Sequence, residues 1–241
     1  MLPETYTNLG RAPQEPTLYP QWKAGLIRSV EQALCTAWDN VVDKHPDALA
    51  TKDEDKITDV LLEELTHLRR KGAGSFTAAI FCVPSRDAKL PDCHGLSIDQ
   101  MPDITIRLVM PRPNVADDRH DALFFECKVL DSTRNLDSYR VDGINRFLLG
   151  RYAWRMPHAG MLAYTFKRRD DTPTKALTAY AHRSHCKQLL SKHMRMIGDP
   201  EEVCGATPPR ASEIAVTKHD RLAPVVDGKT SEIMLRHIWF K

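Results

Sequence analysis

A glutamate and a lysine lie two residues apart inside an apolar segment of the chain, ALFFECKVL, at Glu126 and Lys128. Successive side chains of a β-strand point to opposite faces, so these two project together while Cys127 faces the other side. Burying charged groups is costly without partners, and a divalent cation with a second carboxylate would supply them. Such a cation, with a lysine that stabilises developing negative charge, is what hydrolysis of a phosphodiester bond requires.

Asp103 is a second carboxylate that the chain can bring to the same place. It follows Pro102 and opens the apolar segment ITIRLVM, and residues 122–130 form the next such segment. A hairpin-like return between the two segments would set Asp103 beside Glu126. The residues therefore predict a cluster of two carboxylates and a lysine. The alternative is a buried salt bridge between Glu126 and Lys128 or a neighbour.

Context selects these residues from several similar ones. The tripeptide pattern (D/E)xK occurs four times in the chain and the dipeptide Pro-Asp three times. Only residues 126–128 place the tripeptide within a strongly apolar segment, and only Pro102-Asp103 leads directly into one. The two patterns also follow each other in the right order.

Hydrophobic periodicity predicts the elements that must position these side chains. Helices are predicted at 21–43, 51–71, 136–152 and 174–196, and strands at 76–83, 104–110, 122–130, 160–166, 213–217 and 232–240. The order of elements predicts an α/β domain with a central mixed β-sheet flanked by helices. Residues 1–50 are expected to form an N-terminal arm and helical extension, and residues 51–241 the main domain.

Charge is unevenly distributed along a chain whose formal net charge is only +2. From Arg134 to Arg195 there are 13 Lys or Arg against 4 Asp, which makes this stretch +9 and leaves −7 for the rest. A basic region beside an acidic one suits a protein that grips phosphates and also holds a cation. The alternative is an ordinary solvated surface.

The composition argues against several classes of protein. No apolar run approaches the roughly 18 to 20 residues of a membrane helix, and the N-terminus lacks the features of a secretory signal. We therefore expect no membrane association and a cytoplasmic location. The 6 cysteines form no CxxC pair, which argues against a disulfide framework and a structural zinc site.

The segments MPDITI and LFFECKVL resemble the PD-(D/E)XK nuclease superfamily, whose restriction-endonuclease-like fold has a central mixed sheet flanked by helices. The resemblance covers residues 53–166 and, more loosely, the C-terminal part of the chain. It implies that Asp103 and Glu126 bind Mg²⁺ or Mn²⁺. It also implies that Lys128 positions the attacking water or stabilises the transition state.

Members of the superfamily often carry a further glutamate on the helix before the first core strand, and DEDKITDVLLEEL resembles that element. Glu54 fits best as this catalytic and metal-binding carboxylate, with Glu63 and Glu64 as rivals. A helix rises about 1.5 Å per residue, so Glu54 and Glu64 lie roughly 15 Å apart and cannot both serve. The alternative for Glu54 is stabilisation of the helix dipole.

The stretch SYRVDGINRFLLGRYAW resembles the helix that follows the lysine in branches of the superfamily tied to restriction or phage defence. By this resemblance Tyr139 and Arg146 lie near the metal site and bind nucleic acid, and Gly143 lets the helix approach the sheet. The alternative places Tyr139 in the core and Arg146 on a solvated surface. Further contacts to DNA phosphates are expected from three consecutive basic residues, Lys167, Arg168 and Arg169.

Together these features predict a divalent-metal-dependent endonuclease that acts on DNA with Mg²⁺ or Mn²⁺ as its cofactor. The branches that it resembles imply a regulated subunit of a prokaryotic defence system, controlled by a protein partner. Homo-oligomerisation is a further expectation. The alternative is a catalytically silent nuclease-fold protein that binds nucleic acid or a partner.

Overall fold

A computed structural model describes residues 18–72, 74–86, 89–95, 101–166, 172–185, 196–203, 211–222 and 231–241. Its helices are α1 (Ala24–Lys44), α2 (Pro46–Thr51), α3 (Glu54–Lys71), α4 (Leu136–Tyr139), α5 (Asn145–Leu148) and α6 (Pro173–His185). A π-helical segment, Arg140–Ile144, joins α4 to α5. Its strands are β1 (Ile104–Arg107), β2 (Ala122–Leu130), β3 (His158–Thr165), β4 (Glu201–Val203), β5 (Ala211–Asp220) and β6 (Glu232–Phe240).

The six strands form one open sheet in the order β1-β2-β3-β6-β5-β4. The central strands β2, β3 and β6 run parallel, whereas β1, β5 and β4 are added antiparallel. All residues of β3 are buried and all but one of β2, because helices cover both faces of the sheet. The predicted α/β architecture with a mixed sheet flanked by helices is confirmed. The restriction-endonuclease-like fold stays a prediction.

Helices α1 and α3 cover one face of the sheet. The apolar positions of α1 recur at helical spacing, and Trp38 among them stacks on Tyr164 at 5.4 Å and on Phe240 at 4.9 Å between ring centroids. Thr58 of α3 lies 3.0 Å from the Tyr164 hydroxyl in the same layer. Helix α1 therefore shares one hydrophobic core with the sheet. The predicted domain boundary at residue 50 stays a prediction.

The start of α3 is positioned by its own sequence. Asp53 caps the helix by accepting hydrogen bonds from the backbone N–H groups of Asp55 and Lys56. Gly72 ends it in the left-handed region at φ 72°. This places Glu54, the first residue of α3, beside the central strand β2.

The opposite face is covered by α4, the π-helical segment, α5 and α6. The π-helical segment brings Gly143 so close to the sheet that a Cβ atom there would stand 2.4 Å from Met161 Cε and 3.7 Å from Glu126 Cγ. The predicted close approach at Gly143 is therefore observed. No helix in the described part of the chain combines the length and apolar character needed to cross a bilayer.

Several predicted elements differ from the structure. Residues 76–83 do not form the predicted strand, because Ile80 and Phe81 fold back to the Thr77 carbonyl in a turn and Phe81 makes only an isolated bridge, to Leu108 just after β1. Strand β1 is shorter than predicted and ends at Arg107. The helix predicted at 136–152 ends at Leu148 and contains the π-helical segment. The short elements α2 and β4 were not predicted, and part of the helix predicted at 174–196 lies outside the described residues.

Candidate active site

The site lies where β1 stops pairing with β2. The register between the two strands ends at Ile104 opposite Phe125, and β2 continues to Leu130. Beyond that point, over residues 126–130, β2 still pairs with β3, but no strand of the described residues pairs with its opposite side, and we call this side the open edge of β2. Its N–H groups point alternately to the open side, and buried groups of this kind need acceptors.

Two carboxylates supply those acceptors. Asp103, the residue before β1, accepts a hydrogen bond from the Cys127 N–H at 2.7 Å. Glu54, at the start of α3, accepts one from the Val129 N–H at 3.1 Å. Three elements that are distant in sequence therefore meet at the open edge of β2, and two of the predicted site residues are tied to its backbone.

Glu126 projects from β2 towards the π-helical segment and is fully buried. Its Oε2 accepts a hydrogen bond from the Tyr152 hydroxyl. Its Oε1 lies 2.9 Å from Lys128 Nζ and 3.0 Å from Arg146 Nη1. Both contacts are ion pairs at these distances, but neither has the angles of a hydrogen bond. This buried oxygen therefore accepts no hydrogen bond from the described residues.

Lys128 gathers three oxygen atoms around its ammonium group. In addition to Glu126 Oε1, Nζ donates to Glu54 Oε1 at 2.7 Å and to the Cys127 carbonyl oxygen at 2.7 Å. The Lys128 side chain is 12% exposed, so these contacts are only partly screened by water. The ammonium group therefore occupies the centre of an oxygen cluster at the open edge of β2.

Burial and charge change the acidity of this cluster. Burial and, to a smaller extent, the nearby Asp103 carboxylate raise the pKa of Glu126 to about 7 against the opposing effects of Lys128, Arg146 and Tyr152. Burial alone would lower the pKa of Lys128, but Glu126, Glu54 and Asp103 outweigh it and raise that pKa above its usual value. Lys128 therefore remains a cation at neutral pH, whereas Glu126 titrates close to it.

Asp103 and Glu126 are the side chains of this cluster that could hold a hard divalent cation. Asp103 and Glu126 offer carboxylate oxygens, and the Cys127 carbonyl faces the same open edge as its N–H group. Mg²⁺ usually binds through one or two carboxylates and keeps several waters, so this set suffices without a third acidic side chain. Within the described residues, no group of three or more His, Cys, Asp or Glu is arranged to hold a metal. Both oxygens of Glu54 contact β2, one the Lys128 ammonium group and the other the Val129 N–H, and its predicted role as a metal ligand stays a prediction.

The three candidate glutamates of α3 lie in different surroundings. Only Glu54 reaches the site. Glu64 pairs with Lys44 at 2.9 Å and lies 3.3 Å from His45, far along the helix. Glu63 is exposed and lines a separate surface cavity with Lys44, Glu64 and residues further along α3. Of the three glutamates, Glu54 is therefore the one beside Lys128, and its predicted catalytic role stays a prediction.

The residues predicted to bind nucleic acid divide into three groups. Arg146 is 33% exposed on its side chain and reaches Glu126, so it can face both the site and solvent. Tyr139 is 1% exposed and its hydroxyl lies 2.9 Å from His237 Nδ1, which leaves no surface for a nucleic acid. This placement corrects the prediction for Tyr139 in favour of the core alternative. The basic residues Lys167, Arg168 and Arg169 lie outside the described residues.

Sequence reasoning missed Tyr152. It is fully buried and contacts Glu126 from a segment after α5 that has no recognisable spacing to the other site residues. The Cys127 carbonyl was missed for a different reason, because a backbone atom carries no mark in the sequence. The only available signal was that a buried tyrosine hydroxyl needs a partner and a buried glutamate needs a donor.

Comparison of the chain with protein-family models, curated proteins and solved structures finds no match.

Proposed function

We propose that this chain hydrolyses phosphodiester bonds of DNA with Mg²⁺ or Mn²⁺, as an endonuclease of the PD-(D/E)XK type with a restriction-endonuclease-like fold. The proposal rests on one observation above all. Asp103, Glu126 and Lys128 meet at the open edge of β2, with a buried Glu126 oxygen that accepts no hydrogen bond from the described residues. Two carboxylates beside a lysine are the groups that hydrolysis of a phosphodiester bond with a divalent cation requires.

Each residue has a role that its chemistry supports. Asp103 and Glu126 would hold the cation with the Cys127 carbonyl, and when bound the cation polarises the phosphate and lowers the pKa of a water. Lys128 is protonated at neutral pH, so it suits electrostatic stabilisation of developing negative charge better than proton abstraction. Arg146 is placed to contact a phosphate beside Glu126, since guanidinium groups bind phosphate through paired N–H donors.

The biological setting is part of the proposal. We infer a regulated subunit of a prokaryotic defence system, in which a protein partner controls access to the site, because an unregulated nuclease would damage its own cell. The isolated protein should therefore cut slowly. Rapid degradation of plasmid DNA by the protein alone would contradict this part.

The same contacts favour a second candidate, a catalytically silent protein that binds nucleic acid or a partner. Lys128 and Arg146 already neutralise much of the charge on Glu126 and Glu54. An ion-pair network of this kind can persist as a structural unit. The two candidates differ in whether a divalent cation has any effect.

The experiment is cleavage of supercoiled DNA, linear DNA and RNA with Mg²⁺ or Mn²⁺ by the native protein and by Lys128→Ala. Removing one electrostatic stabiliser typically lowers kcat by about 10² to 10³, so the variant should be nearly inactive. The matched control is Lys44→Ala, which removes a lysine paired with Glu64 outside the site and should cut like the native protein.

Thermal stability measured with and without Ca²⁺ distinguishes a protein that lacks its activating partner from a protein that has no cation site. A cation that binds only the folded state raises its stability even when nothing is cut. Cutting lost in Lys128→Ala supports the nuclease, and Ca²⁺ stabilisation without cutting supports the cation site with its partner absent. If no cation affects cleavage or stability, the silent candidate is favoured.

A further inference from the structure

Tyr152 makes a contact that its packing does not require. Its ring lies edge-on against Phe147, with ring centroids 5.0 Å apart at 89°, and the whole residue is buried. A phenylalanine would fill this place equally well. The hydroxyl instead reaches across to β2 and donates a hydrogen bond to Glu126 Oε2.

This hydrogen bond divides the two oxygens of Glu126 between different tasks. Oε2 is occupied by a neutral donor that holds the carboxylate in one orientation. Oε1 is left to face Lys128 and Arg146, and it accepts no hydrogen bond from the described residues. A buried carboxylate without the Tyr152 donor could rotate, and Oε1 would no longer be held beside Lys128 and Arg146 at the open edge of β2.

We propose that Tyr152 is a positioning residue for the divalent-cation site, holding Glu126 so that Oε1 stays available to a hard cation such as Mg²⁺, Mn²⁺ or Ca²⁺. The inference rests on the proposed function, because it needs Glu126 to be a ligand. Partners that orient a ligand are nearly as important as the ligands, and their loss typically weakens metal binding about 10- to 100-fold.

A purely structural role makes a different prediction. If the hydroxyl only satisfies a buried carboxylate, Tyr152→Phe lowers stability and leaves cation affinity unchanged in the folded protein. If it positions Glu126, the same variant binds the cation more weakly, and saturating cation restores most of the activity. The cation requirement and the rate at saturation therefore separate the two roles.

The test is calorimetric titration of the full chain with Ca²⁺ and with Mn²⁺, for the native protein and Tyr152→Phe. The matched control is Tyr180→Phe, because the Tyr180 hydroxyl also donates to a carboxylate, that of Asp137 at 2.6 Å, away from the site. We expect the dissociation constant of Tyr152→Phe to rise at least about 10-fold and that of Tyr180→Phe to stay within about 2-fold of the native value. Equal affinity in all three proteins would overturn the inference.

The cleavage assay provides a second test of the inference. The Mg²⁺ concentration for half-maximal rate should rise in Tyr152→Phe by a factor similar to that in the calorimetry, while the rate at saturating Mg²⁺ recovers. An unchanged Mg²⁺ requirement with a lower maximal rate would also overturn the inference. If the native protein itself binds no cation, the proposed function fails first, and that outcome is distinct from native binding that Tyr152→Phe shares.

A measurement on the native protein covers the case in which Tyr152→Phe does not fold. With tyrosines labelled at the ζ-carbon, the signal of Tyr152 is assigned by elimination through Phe substitution of the other five. Ca²⁺ should shift this signal with the dissociation constant found by calorimetry, because the hydroxyl bonds to the ligand itself. A Tyr152 signal that ignores saturating Ca²⁺ would contradict the inference.

Discussion

The acidic residues at the open edge of β2 serve the fold and carry charge at the same time. Asp103 accepts the Cys127 N–H, and Glu54 accepts the Val129 N–H, so each replaces a hydrogen bond that a longer β1 would have made. Their charges in turn raise the pKa of Lys128. Because the two roles use different properties of one side chain, a substitution can separate them.

Asp103→Asn is the change that separates them. Asparagine keeps a side-chain oxygen that can accept from the Cys127 N–H, so we expect the free energy of unfolding without cation to change by less than about 1 kcal/mol. It loses the negative charge, so stabilisation by Ca²⁺ should fall by most of its native value. Thermal unfolding at fixed Ca²⁺ measures both quantities.

The control for this substitution is Asp131→Asn, in the loop after β2. Asp131 also accepts backbone N–H groups, those of Thr133 and Arg134 at 2.8 Å, but it lies outside the oxygen cluster. Its variant should keep the native Ca²⁺ stabilisation. If Asp103→Asn also keeps it, Asp103 is only a backbone cap and not a ligand.

At the residue level, the sequence predicted the charged groups of the site better than the residues that contact them. Asp103, Glu126 and Lys128 meet as predicted, because two adjacent apolar segments pair as an antiparallel hairpin with a single register. By resemblance Tyr139 was predicted to bind nucleic acid near the metal site, but it is buried and its hydroxyl contacts His237 in the core. Tyr152 could not be predicted, because the contact depends on the path of the chain after α5.

The π-helical segment is the element that links the helical layer to the site. Its extra residue per turn brings Gly143 against Met161 and lets Arg146, on the next turn, reach Glu126. Segments of this kind often occur at functional sites. The sequence could not reveal it, because over so short a stretch α- and π-helical spacing bury the same apolar residues.

Gly143→Ala tests this element. The new Cβ would stand 2.4 Å from Met161 Cε, so the buried Met161 side chain or the helix must move. We expect a loss of stability of about 1 to 3 kcal/mol and, because Arg146 shifts with the helix, a lower cleavage rate. Denaturant unfolding and the cleavage assay measure the two effects.

Gly25→Ala is the matched control. Gly25 lies in α1, and a Cβ atom added there would have nothing within 4 Å. Alanine should therefore stabilise the helix by roughly 0.5 to 1 kcal/mol and leave cleavage unchanged. A native rate and native stability in Gly143→Ala would show that the close approach is not needed.

Strand prediction succeeded at the centre of the sheet and failed at its edge. Strand β2 has the predicted bounds because its residues are apolar on both faces. Residues 76–83 are equally apolar, but Phe81 contacts Leu108 through a single bridge and the segment turns instead of extending. Local pattern does not distinguish these cases, since pairing at an edge depends on which partner the fold supplies.

Across the whole molecule, burial leaves several titratable groups inside one core. Burial lowers the pKa of His120 and of His158 to about 4 and that of His237 to about 3. Burial raises the pKa of Glu126 to about 7. The histidines and the glutamate therefore affect stability with opposite sign as the pH falls.

The histidines dominate the expected pH dependence. Below about pH 6.5 the unfolded chain binds protons at three histidines that the folded chain does not, so the free energy of unfolding falls as pH falls towards 4. Glu126 opposes this, because the folded chain takes up a proton below its pKa of about 7 that the unfolded chain takes up only near 4.5. Near pH 5 the unfolded chain therefore binds up to about two more protons than the folded chain. The free energy of unfolding then falls by roughly 3 kcal/mol for each unit that the pH is lowered.

Denaturant unfolding between pH 7 and pH 5 checks this. His158→Leu should reduce the slope by up to about 1.4 kcal/mol per pH unit, because neither ring nitrogen of His158 has a hydrogen-bond partner among the described residues and the buried ring cannot accept a proton cheaply. Stability that rises towards acid pH in the native protein would contradict the assignment.

The most direct test of the central claim is anomalous diffraction from crystals of the protein soaked in Mn²⁺. We expect the strongest peak at the open edge of β2, bound by Asp103, Glu126 Oε1 and the Cys127 carbonyl oxygen, with Lys128 Nζ moved away from the last two. A map without a peak there, with Lys128 still holding Glu126, Glu54 and the Cys127 carbonyl as described, would contradict the cation site and the nuclease proposed on it.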